Sequence, residues 1–179
     1  TYFKASEFAH QIEPTAESAM GLAKQAARKK DYPTAIRLFE EAISLATDVD
    51  QKSELYYTIG LLYFDDNTYS KAREYCRKAI EANPNYGAPY IIIGKMYAAT
   101  AKSVYPNDPV LMRCVYYAAI DKFAKAKAVD PSCAEEATSL INSYTAHLPG
   151  KEEVFMHPDV EKGKSFTIGG WIGETTVIR

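Results

Sequence analysis

The 179-residue sequence predicts an all-α protein built from helical hairpins, and three observations support this fold class. Segments of the chain repeat at fixed spacings, the apolar positions inside each repeat share one helix face, and the composition is rich in alanine and tyrosine. Alanine is the best helix former and permits close helix approach, while the 14 tyrosines supply bulky fillers. A C-terminal capping helix and a short β-hairpin-like tail complete the prediction.

The internal repeat is clearest in two copies. Four early positions recur after 34 residues and four later positions after 47, so the second copy holds a 13-residue insertion, at about residues 98–113. A third, upstream copy is recognisable only in its second half, whose positions lie 37 residues before the corresponding positions of the first of the two clear copies. The positions are Tyr56, Ile59, Gly60, Tyr63, Ala72, Cys76, Ala79 and Pro84, then Tyr90, Ile93, Gly94, Tyr97, Ala119, Phe123, Ala126 and Pro131, with Tyr32, Ala35, Phe39 and Ala42 upstream.

The spacing inside each copy predicts a pair of helices. The early positions fall at i, i+3, i+4 and i+7, and the later small, larger and small residues fall at i, i+4 and i+7, so each set lies on one helix face. Turn-forming residues separate the two sets, and Pro84 and Pro131 end the second helix. The sequence therefore predicts hairpins whose small residues are contact points and whose aromatic residues fill the space beside them.

This pattern resembles the tetratricopeptide repeat, which has an aromatic residue, Leu-Gly, Tyr, then Ala, Phe, Ala and Pro over 34 residues. The resemblance covers residues 15–131 as three units, and the best copy is Ser53 to Tyr86. It implies a right-handed α-α superhelix. Tyrosine replaces the leading tryptophan, Cys76 replaces a phenylalanine, and Thr47 stands where the first copy would have its proline.

The rest of the chain is assigned by local signals. Residues 1–14 are predicted to be a further helix or the remnant of an upstream repeat, 132–148 a capping helix, and 149–179 an extended tail with two short strands. Asn107, Asp108 and Pro109 predict the start of a helix that continues to Val129, so the insertion lengthens both helices of its hairpin into an apolar arm. We expect either a partner or the tail to cover this arm, the tail through Phe166, Ile168 and Trp171.

No motif for catalysis, a cofactor or a metal is apparent. The three histidines are dispersed, and the three cysteines form no CxxC pair, which predicts buried free thiols. A balance of 21 basic and 23 acidic residues disfavours nucleic-acid binding, and no stretch reaches the length of about 18 apolar residues needed for a transmembrane segment. The protein is therefore predicted not to be an enzyme, with a site assembled from distant residues as the least favoured alternative.

The resemblance implies a concave groove that binds a peptide or a partner protein. The groove positions combine apolar and basic side chains, which suits a ligand with apolar anchors and an acidic group. One subgroup of this family holds chaperone C-termini with lysine and asparagine at the groove positions of successive units. No asparagine occupies these positions here, so binding of a chaperone C-terminus is disfavoured. An alternative is that these residues contact a neighbouring unit or the protein's own tail. The positions are Met20, Lys24, Arg28, Tyr57, Leu61, Phe64, Ile91 and Lys95.

Two further alternatives concern assembly and location. The arm and the β-tail could instead mediate oligomerisation, which would make the chain a structural component. The tail end GGWIGETTVIR resembles the ends of exported bacterial tetratricopeptide repeat proteins of unassigned function, which implies an extracytoplasmic location. The chain opens on Thr1, as expected if a leader or upstream segment had been removed, but the sequence leaves the compartment open.

Overall fold

The computed structural model describes residues 1–179 and contains nine α-helices and one two-stranded antiparallel sheet. The all-α class, the helical hairpins and the short β-tail predicted from the sequence are confirmed. The residues form two compact units, Thr1–Pro84 (unit 1) and Asn85–Arg179 (unit 2).

Unit 1 contains five helices. The hairpins are α2 with α3 and α4 with α5; α1 packs on α2, and α3 packs on α4. An N-cap begins each of α2 and α3: the Thr15 hydroxyl accepts from the Ser18 amide, and the Asp31 carboxylate accepts from the Thr34 amide. The helices are α1 (Tyr2–Ile12), α2 (Ala16–Arg28), α3 (Tyr32–Leu45), α4 (Val49–Asp65) and α5 (Tyr69–Ala82).

The two hairpin turns of unit 1 share one backbone conformation. Lys30 and Asn67 have φ angles of 60° and 57°, which place both in the left-handed region that often ends a helix. Each lies two residues before the tyrosine that begins the next helix, Tyr32 or Tyr69. The repeat therefore extends from side-chain positions to the backbone geometry of the turn.

Unit 2 contains a longer hairpin, the capping helix and the tail. The segment Pro131–Cys133 forms a single 3₁₀ turn, and α7 packs against both α6 and α8. The remaining elements are α6 (Ala88–Val104), α7 (Pro109–Val129), α8 (Ala134–Thr145), α9 (Lys151–Met156), β1 (Ser165–Thr167) and β2 (Thr175–Val177).

The insertion lengthens the α6–α7 hairpin at its turn. Helix α7 begins at Pro109 and ends at Val129, as the sequence predicts, and the Asp108 carboxylate accepts hydrogen bonds from the Val110 and Leu111 amides at 3.1 and 2.9 Å. It has 21 residues, against 14 in the corresponding helix α5. The extra turns add apolar residues, and Leu111, Cys114 and Tyr117 join a buried cluster with Val154, Val160 and Ile178 from the end of the chain.

One part of the tail differs from the prediction. Residues 149–179 were expected to be extended, but Lys151–Met156 form the short helix α9. The Glu153 carboxylate accepts a hydrogen bond from the Gly150 amide at 2.7 Å, and the Val154 side chain is buried. This cap and this single buried contact, rather than a long apolar periodicity, stabilise the helix.

Candidate peptide-binding surface

Helix α2 presents the basic part of the predicted groove. Met20, Lys24 and Arg28 follow one another at four-residue intervals, so they share one face of the helix. Met20 is half-buried against the core of unit 1, while Lys24 and Arg28 are exposed. This face offers two accessible positive charges beside a thioether side chain, a combination that can contact both an acidic and an apolar group of a ligand.

Helix α4 presents the apolar part. Tyr57, Leu61 and Phe64 occupy positions i, i+4 and i+7, and all three are half-buried. The Phe64 ring lies 5.9 Å from the ring of Tyr69, measured between centroids, so its orientation is fixed by the start of the next helix. Each side chain of this row thus keeps part of its apolar surface accessible on unit 1.

The two predicted groove residues of unit 2 have other roles in the structure. Ile91 is only 2% exposed and belongs to the hydrophobic core, so its side chain cannot contact a ligand on the surface. The Lys95 ammonium lies 2.9 Å from the Glu136 carboxylate of α8, so it already has a partner within its own unit. This agrees with the alternative that some groove positions contact neighbouring elements, and it leaves Ile91 out of the candidate surface.

The predicted tail residues contact the lengthened hairpin of unit 2. Trp171 donates from Nε1 to the Thr100 hydroxyl at 3.0 Å, and its ring lies 5.5 Å from that of Tyr97. Ile168 is fully buried, and the Phe166 ring lies 6.4 Å from that of Tyr105. The tail therefore covers apolar surface of its own chain.

Polar contacts hold the end of the tail to α7. The Tyr117 hydroxyl donates to the Arg179 carbonyl at 2.7 Å, and the Thr176 hydroxyl donates to the Asp121 carboxylate at 2.6 Å. An ion pair joins Lys122 to Glu174 at 2.5 Å. Because the partners in each contact are more than 50 residues apart, no local sequence pattern predicts them.

A Ser-His-Glu chain, which no local sequence pattern predicts, joins three helices of unit 1. His10 of α1 lies with Nδ1 at 2.5 Å from the Ser18 hydroxyl oxygen and with Nε2 at 2.8 Å from the Glu41 carboxylate. Nucleophilic catalysis uses residues in this order. The Ser18 hydroxyl, however, donates to the Thr15 carbonyl in the first turn of α2 and does not line the 260 Å³ cavity beside His10 and Glu41. The chain of hydrogen bonds therefore fastens α1 to α2 and α3.

The cysteines lack the surroundings of reactive or metal-binding thiols. All three are buried and free, as the sequence predicts. Burial raises the pKa of Cys76 to about 12 and that of Cys114 to about 11, so both remain protonated near neutral pH. No group of three or more histidine, cysteine or acidic side chains is arranged to hold a metal ion. None of the helices combines the length and the apolar character that crossing a membrane requires.

Comparisons with known proteins match one repeat of this chain. The family model for the tetratricopeptide repeat matches residues 53–86, which contain most of α4, the turn after it and all of α5. The α4–α5 hairpin is thus a tetratricopeptide repeat, and this repeat indicates a role in protein–protein interaction.

One similar protein is the Photosystem I assembly protein Ycf3 from Acaryochloris marina. It is 33% identical to this chain over 55 residues, which make up 31% of this chain and 33% of the relative. The similarity therefore spans about a third of the relative's length.

Proposed function

We propose that this protein is a non-enzymatic interaction module with three repeat units over residues 15–131, and that unit 1 binds a segment of a partner protein. The observation that carries the proposal is the half-buried apolar row of Tyr57, Leu61 and Phe64 on α4, in the same unit as the exposed cations of α2. A bulky apolar side chain of the ligand contacts this row, and an acidic group faces Lys24 and Arg28.

The relative supports an assembly role for such binding. Its name describes a protein of photosystem I assembly, and a repeat module can act in assembly by holding a partner protein through an exposed segment. We propose this kind of role for the present chain. The similarity supports transfer of the interaction role alone, since the matched region spans a third of the relative.

Selection from a random peptide library on the full chain tests the ligand class. We expect enriched peptides to combine an acidic residue with a large apolar one. The double variant Tyr57→Ala, Lys24→Glu should weaken their binding by about tenfold or more, because it removes an aromatic anchor and reverses a charge. The matched control Lys127→Glu reverses an exposed charge on α7 and should leave affinity unchanged. Equal affinity of the double variant and the wild type would contradict the groove assignment.

Self-association is a second candidate function, and helix α1 favours it. Phe8 and Ile12 lie four residues apart on one face of α1 and are 66% and 69% exposed, and Tyr2 at the start of the helix is 82% exposed, whereas the tail packs on its own chain. A second copy is the occupant we propose for this face, because a helix can bury the same apolar face against its symmetry mate. Light scattering should then give a multiple of the 20.0 kDa chain mass, and Phe8→Ser with Ile12→Ser should restore the single mass. A wild-type mass of one chain at every concentration would rule this out.

A further inference from the structure

Helix α9 exposes two consecutive large apolar side chains. Phe155 is 90% exposed and Met156 is 82% exposed, the highest values among the large apolar residues, with Tyr2 equal to Met156. Single exposed apolar residues are common on protein surfaces, but an adjacent aromatic and methionine pair is typical of a contact surface. These residues lie in unit 2, so they are separate from the surface proposed for unit 1.

The backbone that carries this pair is firmly anchored. Val154, the residue before the pair, is buried in the cluster that includes Leu111 and Tyr117. Glu153 forms an ion pair with Arg113, and after the pair the His157 Nε2 lies 2.7 Å from the Asp108 carboxylate. Since both flanks are bonded to α7 or its N-cap, little conformational entropy is lost when a partner contacts Phe155 and Met156.

A cavity of 710 Å³ adjoins α9 and has a basic lining. Phe155 contributes to its wall together with Val154 and Val160, and four cationic side chains surround it: Lys151, Lys162, Lys164 and Arg179. The three lysines make no ion pair, whereas Arg179 bonds to Asp121 at 2.9 Å. Asp159 and Glu161 are the acidic residues of the lining, so the positive groups outnumber the negative ones.

We propose that this α9 surface is a second protein-binding site and that its partner is an acidic segment with a large apolar side chain. The apolar side chain packs against Phe155 in the cavity wall and against the adjacent Met156, and carboxylates of the segment face Lys151, Lys162 and Lys164. Charge complementarity selects the acidic segment, and the exposed aromatic and thioether groups supply the apolar contact.

A protein segment fits this site better than an anionic membrane does. The basic groups surround a concave cavity rather than project from a convex face, and Asp159 and Glu161 lie among them. A lipid surface could not enter the cavity, whereas a peptide side chain can.

Fluorescence anisotropy with a synthetic peptide of Asp, Glu, Leu and Phe tests the proposal on the full chain. Phe155→Ser with Met156→Ser, and separately Lys162→Glu with Lys164→Glu, should each weaken binding by about tenfold or more. A peptide with lysine in place of each acidic residue should also bind weakly. All four positions are exposed, so the circular dichroism spectrum and the thermal midpoint should stay those of the wild type.

Because unit 1 is proposed to bind the same class of ligand, the α9 variants are compared in a chain that also carries Tyr57→Ala and Lys24→Glu, so that the remaining binding belongs to the α9 surface. The proposal is overturned if either α9 double variant binds as this parent chain does, or if the parent chain does not bind the peptide. Vesicles of anionic lipid give the remaining test: binding that depends on Phe155 and Met156 without peptide binding would assign the surface to membranes instead.

Discussion

The hairpins α4–α5 and α6–α7 carry the same repeat positions but fill the space beside their glycines differently. A Cβ atom added at Gly94 of α6 would lie 2.5 Å from the Phe123 ring of α7, whereas one added at Gly60 of α4 would lie 3.1 Å from the Cys76 sulfur of α5. Glycine in the first helix of a hairpin is therefore required most strictly where the second helix has the aromatic residue, as in α6–α7.

In the α4–α5 hairpin the neighbouring residue supplies the missing aromatic ring. Tyr75, next to Cys76, stacks on Tyr63 at 5.5 Å and lies 6.4 Å from Tyr56. Its hydroxyl donates to the Glu40 carboxylate, so the polar end of this buried ring is satisfied. Burial is the main cause that raises the pKa of Tyr75, followed by this hydrogen bond. A one-residue shift of the aromatic position thus preserves the packing of unit 1.

The hairpins also differ in what covers them. The α4–α5 hairpin keeps the standard length, while the lengthened α6–α7 hairpin exposes further apolar surface that Ile168, Trp171 and Ile178 bury. Helix α7 has 21 residues against 14 in α5, whereas α6 and α4 both have 17, so the prediction that both helices lengthen holds in total length for α7 alone. An insertion that lengthens an apolar hairpin in this way needs additional chain to exclude water from it. This comparison predicts that unit 2 depends on its tail and that unit 1 tolerates change at its glycine.

The largest effect is expected from Ile168→Asp. This substitution places a charge at a fully buried position of the tail, and we expect the free energy of unfolding of unit 2 to fall by about 4 kcal/mol. Urea denaturation followed by the fluorescence of Trp171, the single tryptophan, reports on this unit. Val177→Asp is the matched control because Val177 lies in β2, the partner of the strand that Ile168 directly follows, but is 42% exposed, so its cost should be much smaller. Similar stability of the two variants would show that the tail is not required.

A smaller effect is expected from alanine at the two repeat glycines. Gly94→Ala should reduce the stability of unit 2 by about 2 kcal/mol, because the Phe123 ring must move. Gly60→Ala should cost clearly less, since the better helix propensity of alanine partly offsets its tight contacts with the Cys76 sulfur at 3.1 Å and the Ala72 carbonyl oxygen at 3.3 Å. Chemical denaturation followed by circular dichroism checks both. Equal losses in the two variants would contradict the comparison of the hairpins.

The smallest expected effect is a loss of stability in acid, when the capping carboxylates of unit 2, Asp108 and Asp130, become protonated. The Leu111 amide, and then His157, lower the pKa of Asp108, while the Ser132 hydroxyl and the Gly87 amide lower that of Asp130. Because these pKa values are lower in the folded state, their contribution to stability is complete above the ordinary value of 3.8 and is lost as the pH falls through the folded values. Unit 2 should therefore lose stability below about pH 4.

The variant Asp108→Asn checks this expectation. Asparagine keeps the capping hydrogen bonds but cannot titrate, so the loss of stability between pH 4 and pH 2, followed by Trp171 fluorescence in urea, should become shallower by about half. Glu74→Gln is the control, because Glu74 is an exposed carboxylate of unit 1 whose pKa is lowered mainly by its hydrogen bond from Lys71. An unchanged pH dependence in Asp108→Asn would show that this cap does not contribute.

Local signals predicted the parts of the fold that depend on nearby residues. The start of α7 is predicted by Asn107, Asp108 and Pro109, because an N-cap and a proline at the first helical position act within one helical turn. The buried state of Cys76, Cys114 and Cys133 also followed from their number and spacing. By contrast, the burial of Ile91 could not be predicted, because α6 places Ile91, Ile92 and Ile93 in the core together. A helix buried on several faces has no single apolar stripe, so its sequence does not show which residues remain exposed.

The sequence by itself determined the repeat, the hairpin helices, their turns and the short β-tail. These features follow from side-chain periodicity, capping and proline or glycine positions, which act over a few residues. Only the tertiary structure decided which surfaces remain open. It directed the tail to the lengthened hairpin, paired Lys95 with Glu136, joined His10 to Ser18 and Glu41, and displayed Phe155 and Met156 beside a basic cavity. Contacts between distant residues depend on packing in three dimensions, so no spacing along the chain encodes them directly.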